Sequence, residues 1–273
     1  MEYVQIAGRP VSRFIIGGNT FSGFSHQSVE KDREMVRYFT VQRIKRTLHQ
    51  AEALGINTLV ARGDAHIRRL LLEYWDEGGT VQWFCQTCPE MGPPERTVEQ
   101  AIAMGACACY IHGGVMDFLY AQNRLDEVRP ALEKIRAAGL PAGVAAHNPR
   151  VLEWAEQNLS VDFYMACYYN PTPRDKAAAH PHGAVEVYRE EDRDAMTAMI
   201  ARLSRPAIHY KVLAAGRNHP AAAFRYVARH LRPQDAVCVG VYPKGKPDML
   251  LEDVRLFFEA VGTTPAASAR HKC

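Results

Sequence analysis

The stretch Ala106–Arg150 decides the fold; it opens with ACACYIHGG and closes with GLPAGVAAHNPR. Two short apolar runs within it, Ala106–Ile111 and Ala142–Ala146, have the length and composition of buried strands. The first run leads directly into His112 and the second into His147. Each predicted strand therefore ends in a histidine.

Residues Leu125–Ala138 (LDEVRPALEKIRAA) carry apolar side chains at helical spacing, and Gly139 follows as a natural helix cap. A strand, a helix and a strand in this order form a parallel unit whose two strands lie close together. Because α/β proteins place their chemistry at the carboxyl ends of parallel strands, His112 and His147 are predicted to face a common site.

The same alternation runs through the rest of the chain and favours an α/β fold, a (β/α)8 TIM barrel with an N-terminal hairpin. The hairpin is predicted over residues 3–12, and residues 18–39 and 170–183 form two long loops over the mouth of the barrel. We expect a single domain over residues 1–261 and a disordered tail over residues 262–273. The predicted strands are Arg13–Gly17, Ile56–Ala61, Val81–Thr87, Ala106–Ile111, Ala142–Ala146, Phe163–Tyr168, Ala207–Leu213 and Ala236–Val241.

Composition is that of an ordinary globular protein, with 47% hydrophobic and 23% charged residues among 273. A net charge of +3 is too small and too dispersed to predict binding to nucleic acid or to a membrane surface. The N-terminus has no signal-peptide pattern and no apolar run reaches a membrane-spanning length, so we expect a cytoplasmic protein.

Seven cysteines stand at positions 85, 88, 107, 109, 167, 238 and 273, mostly inside apolar runs. Buried, reduced thiols are the expected state. A zinc or redox cluster of Cys85, Cys88, Cys107 and Cys109 is disfavoured, because residues three apart on a strand point to opposite faces.

In this order the elements resemble the aldo-keto reductase superfamily over nearly the whole chain. The resemblance implies a TIM barrel whose members reduce carbonyls with NADPH. It is carried by AEALGINTLVAR at 51–62, YIHGG at 110–114, GVAAHNPRVLE at 143–153, Tyr169-Asn170-Pro171, Tyr210–Gly216 and VYPKGKPDMLLED at 241–253, after the opening MEYVQIAG and VSRFIIGGNTF.

The family's catalytic Asp, Tyr, Lys and His match this chain at one position, His112. Val60 stands at the Asp position, the Lys position falls near Cys88, and no Tyr follows strand two. The resemblance implies cofactor roles for Tyr210, at the ring-stacking position, and for Lys244, in the phosphate-binding stretch. The residues that grip the nicotinamide are replaced by Ala145, Ala146 and Ala166. Since hydride transfer needs a proton donor and a held cofactor, this pattern predicts a repurposed barrel.

Polar residues at the predicted strand ends suggest a metal site instead. His112 and His147 could converge on one point, with Asp64 and His66 reaching inward from the loop after strand two. Histidine and carboxylate ligands suit a divalent transition metal, Zn, Mn, Fe or Ni, which would polarise a carbonyl or activate a water.

Each proposed ligand also has a simpler explanation. His112 could donate a hydrogen bond to a substrate oxygen without a metal, and His147 could cap the next helix or bond a loop carbonyl. Asp64 could be the N-cap of the helix that begins at Ala65, and His66 could be a solvated residue of its first turn. His26, His180 and His182, in the long loops, are interpreted as surface histidines.

Lys211 follows an apolar run, so we expect a buried amine with a lowered pKa that acts as a base or an imine-forming nucleophile. The alternative is an ion pair with Asp64 or Glu90. Glu90, Arg62 and Tyr169 complete the catalytic candidates. Arg62 and Lys244 add positive charge, which favours an anionic or polyhydroxylated small-molecule substrate. The oligomeric state stays open.

The leading hypothesis is a metal-assisted lyase, isomerase or hydrolase that acts on a small polar carbonyl or sugar-like compound, with Lys211 or Glu90 moving the proton. The alternative is an NADPH-dependent reductase with an altered set of catalytic residues, of which His112, Tyr210 and Lys244 remain. A third hypothesis is an inactive barrel that serves as a binding module; so many ionisable groups at the mouth argue against it.

Overall fold

The computed structural model describes residues 1–180 and 185–262. A two-stranded antiparallel hairpin, β1 (Tyr3–Ile6) and β2 (Arg9–Ser12), precedes a closed parallel barrel. The barrel strands pair in sequence order and β10 closes the ring against β3. They are β3 (Phe14–Gly17), β4 (Thr58–Arg62), β5 (Gln82–Gln86), β6 (Ala108–Ile111), β7 (Ala142–Ala146), β8 (Phe163–Cys167), β9 (Ala207–Tyr210) and β10 (Ala236–Gly240). The predicted TIM barrel with its hairpin is confirmed.

Helices surround the barrel and bury one face each. They are α1 (Val29–Tyr38), α2 (Val41–Ala53), α3 (Ala65–Asp76), α4 (Pro94–Ala103), α5 (Gly113–Ala121), α6 (Arg129–Ala137), α7 (Pro149–Asn158), α8 (Glu190–Ile200), α9 (Pro220–His230) and α10 (Met249–Val261). Short 3-10 turns lie at Pro89–Met91, Leu125–Val128 and Ala214–Gly216. None of the helices in the described part of the chain is both long enough and apolar enough to cross a bilayer.

The stretch Ala106–Arg150 folds as predicted at its centre. β6 and β7 pair in parallel, with Tyr110 opposite Gly143. The helix between them ends before Gly139, whose φ of 71° is the left-handed conformation that glycine adopts readily. The carboxyl ends of both strands therefore reach the same face of the barrel.

Alternation along the strands builds two apolar layers. Side chains such as Ile15, Phe84 and Met165 fill the inside of the barrel, where Val4 and Ile6 of the hairpin join them. The other faces of the strands pack against the helices. Because the hairpin contributes to the interior cluster at the amino ends of the strands, the open end of the barrel is the carboxyl one.

Two helices were not predicted. α1 lies inside the predicted loop 18–39, and it buries only Met35, so its apolar spacing is weak. α5 begins at Gly113-Gly114, a poor helix start by propensity, yet it is buried on nearly all sides. Strand β9 is shorter than the predicted Ala207–Leu213, because Lys211 leaves the strand with a φ of 57°. The predicted tail lies largely outside the described residues.

Candidate active site at the barrel mouth

Two connected cavities open at the carboxyl ends of the strands. The larger one, about 360 Å³, runs from the centre of the mouth between the ends of β3, β9 and β10. The smaller one, about 190 Å³, lies among His26, His112, His147 and His180, and we call it the histidine cavity. Both cavities share a wall made of Asn19, Phe24, His26, Gln86, Tyr110, Tyr210 and Lys211.

His147 is held by a carboxylate that the sequence analysis did not identify. Its Nδ1 lies 2.7 Å from Oδ2 of Asp117, on α5, and the backbone N–H groups of His147 and Asn148 donate to the same carboxylate at 3.1–3.2 Å. The two side chains are only 5–6% exposed. Since Nδ1 faces Asp117, the Nε2 atom of His147 is the one available to the cavity.

Burial sets the protonation of this pair. It raises the pKa of Asp117 to about 7, against the opposing effect of the backbone N–H donors of Asn148 and His147. Burial, followed by the charges of Lys211 and Arg174, holds the pKa of His147 well below its usual value of 6.5. The Asp117–His147 pair therefore binds or releases one proton near pH 7. Perturbed pKa values of this kind are frequent among groups that transfer protons in enzymes.

His112 has the opposite arrangement. As the N-cap of α5, its Nδ1 accepts the backbone N–H of Gly114 at 3.1 Å, which assigns the ring proton to Nε2. Its own backbone N–H donates to Oγ1 of Thr87 at 2.9 Å. Burial lowers its pKa far below 6.5, so the ring is neutral. One histidine thus offers an acceptor to the cavity and the other offers a donor.

Lys211 lies at the junction of the two cavities. Within the described residues its amine forms no hydrogen bond or ion pair, so pairing with Asp64 or Glu90 is not found. Its surroundings lower its pKa through burial, against the effect of Cys167 and Glu186, while its catalytic role stays a prediction. Its φ of 57° is strained for a lysine.

Arg62, Asp64 and Glu90 form a separate ion-pair group on one side of the histidine cavity. Arg62 pairs with Asp64 at 3.4 Å and with Glu90, and its guanidinium stacks over the ring of Phe24. Asp64 is also the N-cap of α3, where its side chain accepts the N–H of Ile67. Glu90 is therefore neutralised by Arg62 and is half exposed.

Three further candidates lie away from both cavities. His66 is exposed on α3. Tyr169 is buried, and its hydroxyl accepts from the amide of Asn218 at 2.8 Å. Lys244 is half exposed and pairs with Glu34 at 2.6 Å. The four predicted metal ligands are thus not brought together, since Asp64 caps a helix and His66 faces solvent, which are the alternatives the sequence left open.

The second long loop covers the histidine cavity and supplies residues that the sequence analysis missed. Its backbone crosses the start of α5 so closely that a Cβ at Gly114 would overlap the carbonyl oxygen of Ala178. The loop is also tied down where Gln122 donates to the carbonyl of Asp175 at 2.9 Å. From it, Arg174 reaches the wall of the cavity while 6% exposed.

His26 and His180 are not the surface residues that we predicted. Glu186 joins them: its Oε1 lies 2.7 Å from Nδ1 of His26 and 3.2 Å from Nε2 of His180, and Tyr188 donates to its other oxygen. The carboxylate is only 3% exposed, and His182 lies outside the described residues. The cluster therefore ties the first long loop to the second.

This cluster is also where the described residues come nearest to a metal site. The ligand atoms of His26, His180 and Glu186 all lie within 4.8 Å of one another. Two histidines and a carboxylate are a donor set that divalent transition metals accept. In the present geometry, however, the carboxylate is already hydrogen-bonded to His26 and lies 3.2 Å from Nε2 of His180.

The larger cavity is the one of the two with more room for a cofactor such as NADPH. Tyr210, for which the resemblance implied a cofactor role, lines it beside apolar side chains such as Met35 and Met249. The lysines on its wall are already paired, Lys31 with Glu34 at 3.0 Å and Lys246 with Glu252. The room and an aromatic ring fit a nicotinamide cofactor, but a free cation for its phosphates is not found among the described lining residues apart from Lys211.

Comparison with solved structures places the fold. Over 95% of this chain, a protein of Pseudomonas aeruginosa assigned to the aldo-keto reductases superposes with a TM-score of 0.63, at 16% identity and with 96% of its own length covered. An aldo-keto reductase of Bacillus halodurans in its holo form gives a TM-score of 0.58 at 12% identity, with 99% of each chain covered.

A third structure, a variant of the protein Gox0644 in complex with NADPH, gives a TM-score of 0.53 at 12% identity over 100% of this chain and 98% of that one. No protein-family model and no curated protein matches the sequence. At these identities the likeness concerns the backbone alone, and the barrel with its N-terminal hairpin is the aldo-keto reductase fold.

Proposed function

We propose that this chain is an enzyme that moves a proton at the carbon beside the carbonyl group of a small polar substrate, as isomerases and lyases do. The observation that carries the proposal is the opposite hydrogen bonding of two histidines at one cavity: Nδ1 of His147 faces the carboxylate of Asp117, and Nδ1 of His112 accepts the N–H of Gly114. His147, oriented by Asp117, presents an acceptor nitrogen, and His112 presents an N–H donor. A base and an oxyanion donor are the two groups that enolisation needs.

In the proposed reaction, Nε2 of His147 takes a proton from the carbon next to the carbonyl. The electron pair of the broken C–H bond moves toward the carbonyl oxygen, where the N–H of His112 stabilises the negative charge. The proton then returns to a neighbouring atom, which isomerises the substrate, or a group leaves from the next carbon. Lys211 lines the same cavity and is placed for this second transfer.

This mechanism assigns His112 a role different from the metal ligand that the sequence suggested. A ring nitrogen that carries a proton cannot bind a metal, and the hydrogen bond from Gly114 favours that proton on Nε2. General-base catalysis by a positioned histidine contributes about 10²–10⁴-fold in rate. That range sets the effect expected for removing His147.

The test is hydrogen–deuterium exchange into carbonyl probes in deuterated buffer, followed by NMR. Hydroxyacetone, glyceraldehyde and pyruvate form the first panel. Wild-type protein should catalyse exchange at the carbon beside the carbonyl, and His147→Gln should lower the rate at least 100-fold. His66→Gln, on the exposed face of α3, is the matched control and should exchange normally. Equal rates for wild type and His147→Gln would refute the proposal.

An NADPH-dependent reductase is the second candidate, because the larger cavity has Tyr210 on its wall and a structural neighbour binds NADPH. It predicts saturable NADPH binding, measured by fluorescence, that weakens at least tenfold in Tyr210→Ala. Reduction of a carbonyl probe at the expense of NADPH would favour this candidate over proton transfer. Exchange without NADPH binding would exclude it.

A further inference from the structure

Arg174 is a buried cation without a matching anion. Its side chain is 6% exposed, and its one hydrogen bond within the described residues joins Nη2 to Nδ1 of His180 at 3.2 Å. The Nε and Nη1 atoms are buried and have no partner there. Burial lowers its pKa from the usual value.

The other guanidinium at this cavity, that of Arg62, lies within ion-pair distance of two carboxylates, although its Nε forms no hydrogen bond within the described residues. It pairs with Asp64 and with Glu90 and stacks on Phe24. By contrast, no described carboxylate lies within ion-pair distance of Arg174. A buried charge with unmatched donors is less stable than a paired one, so the free donors of Arg174 favour an anionic ligand.

The remaining charges of the cavity do not supply that anion. Glu186 is held by His26, His180 and Tyr188, and Asp117 is held by His147 and two backbone N–H groups. The uncompensated groups that face the cavity are therefore cationic or neutral, Arg174 and Lys211 foremost. A guanidinium fork matches the two oxygens of a carboxylate in shape and charge.

We propose that Arg174 binds a carboxylate group of the substrate, so that the substrate class is a small keto or hydroxy-keto acid. The inference rests on the proposed function, because Arg174, His112 and His147 line one cavity of about 190 Å³. That volume admits one small molecule, so the anion and the reacting carbonyl belong to the same ligand. The second long loop, which carries Arg174, thereby selects the substrate.

The test uses isothermal titration calorimetry on the full chain with malonate, its neutral diamide malonamide, and inorganic phosphate. Malonate should bind and malonamide should not, and Arg174→Gln should weaken malonate at least tenfold. The matched control is Arg69→Gln, because Arg69 is 77% exposed on α3. Arg174→Lys keeps the charge but loses the fork, and it should bind malonate at least threefold more weakly than wild type.

Three results would overturn the inference. They are equal malonate affinity in wild type, Arg174→Gln and Arg174→Lys, equal affinity for malonate and malonamide, and Arg174-dependent binding of phosphate tighter than that of malonate. If Arg174→Gln does not fold by circular dichroism, Arg174→Lys decides alone. Calorimetry needs no turnover, so Arg174-dependent malonate binding without deuterium exchange in any probe would refute the proposed function alone. If Arg174→Gln and Arg174→Lys both exchange pyruvate at the wild-type rate, the inference about Arg174 is refuted and the proposed function stands.

Discussion

The two cavities at the mouth differ in what surrounds them. The larger one has room, a wide apolar wall and lysines already paired with carboxylates. The histidine cavity is about half its size and holds His112, His147 and Arg174, each with hydrogen-bonding capacity directed at nothing in the described protein. Space and reactive groups are therefore separated, and only Tyr210, Lys211 and a few neighbours touch both.

This separation indicates how a shared backbone can serve different chemistry. In the larger cavity, the groups that could contact a nicotinamide cofactor are the ring of Tyr210 and an apolar wall. In the smaller one, strand ends and a loop bring together two histidines and a buried guanidinium, to which the proposal assigns the base, the oxyanion donor and the anion site. Fold alone does not distinguish these uses, because function depends on the site rather than on the barrel.

Among changes that leave the side chains of His112, His147 and Arg174 in place, Asp117→Asn is expected to have the largest effect at the histidine cavity. An amide beside Nδ1 of His147 donates rather than accepts, so the ring proton moves to Nε2 and the base is lost. Asp117 is a positioning residue, so the diagnostic readout is the pH profile. In wild type, exchange should rise with pH through about 7, as Asp117 ionises.

In Asp117→Asn the rate should fall at least 100-fold, and the rise near pH 7 should disappear. Nitrogen NMR of His147 should report the changed tautomer. A variant that keeps the wild-type profile at a lower rate would mean that Asp117 only stabilises the fold.

A second substitution tests whether the position of the second long loop determines ligand binding in the histidine cavity but not in the larger cavity. Gly114→Ala places a Cβ against the carbonyl of Ala178, a backbone atom that can yield only if the loop moves, and 2.9 Å from Cε1 of His112. Overpacking of this kind costs about 1–3 kcal/mol. We expect a lower free energy of unfolding and at least tenfold weaker malonate binding, because Arg174 moves with the loop.

The control is Gly240→Ala, on the wall of the larger cavity, where the nearest atom would lie at an ordinary 3.4 Å. Urea unfolding and calorimetry should show little change in it. Equal malonate affinity in Gly114→Ala and wild type would mean that the loop does not position the anion site.

Much of the barrel follows from the sequence, because buried parallel strands are short apolar runs and glycine ends their helices. The strand ends also predict that His112, His147 and Lys211 lie near one another, and in the structure all three line one cavity, while their roles stay a prediction. Their partners do not follow, since hydrogen-bond geometry depends on the tertiary structure. Asp117 had a readable signal, as a lone carboxylate in the apolar run VMDFLY suggests a buried partner.

Arg174 and Glu186 had no such signal. Both lie between β8 and α8 in a stretch without periodicity. Its path across α5 brings Arg174 to the wall of the cavity, and Glu186 is linked to the cavity through His26 and His180. His26 and His180 were wrongly interpreted as exposed for the same reason. The roles of Asp64 and His66 depended on a choice between a loop and a helix start, which the capping geometry of α3 resolves.

His26 lies on the wall shared by the two cavities, and the effect of its burial on folding stability can be measured as a function of pH. Burial is the main cause that lowers the pKa of His26 to about 4, with Lys211 and His180 acting in the same direction and Glu186 against them. The folded protein therefore keeps His26 neutral, while the unfolded chain takes up a proton below about pH 6.5. Folding stability from this group is lost as the pH falls from 6.5 toward 4.

Between pH 7 and pH 5, the loss in the free energy of unfolding, measured in urea, should be smaller in His26→Gln than in wild type by the share of His26. The remaining loss comes from His112, His147 and His180, whose pKa values burial also lowers. The share of His26 at pH 5 is about 2 kcal/mol, at 1.36 kcal/mol for each pKa unit. The ionisation of Glu186, whose pKa is lowered to about 2, falls below this range. In His66→Gln the free energy of unfolding should change between pH 7 and pH 5 as it does in wild type. The same change in His26→Gln would mean that burial in the cluster of His26, His180 and Glu186 does not lower the pKa of His26.

The smallest effect is expected at the lysine that the family resemblance singled out. Lys244 is half exposed, pairs with Glu34 and lines neither cavity, so it has no route to a ligand in the larger one. Lys244→Ala should therefore change the affinities for malonate and for NADPH by less than twofold. If NADPH binds and Lys244→Ala weakens it tenfold, the larger cavity extends over that lysine when filled. A phosphate of NADPH would then replace Glu34 as the partner of Lys244. The larger cavity would in that case bind an anion through Lys244, as the histidine cavity is proposed to do through Arg174.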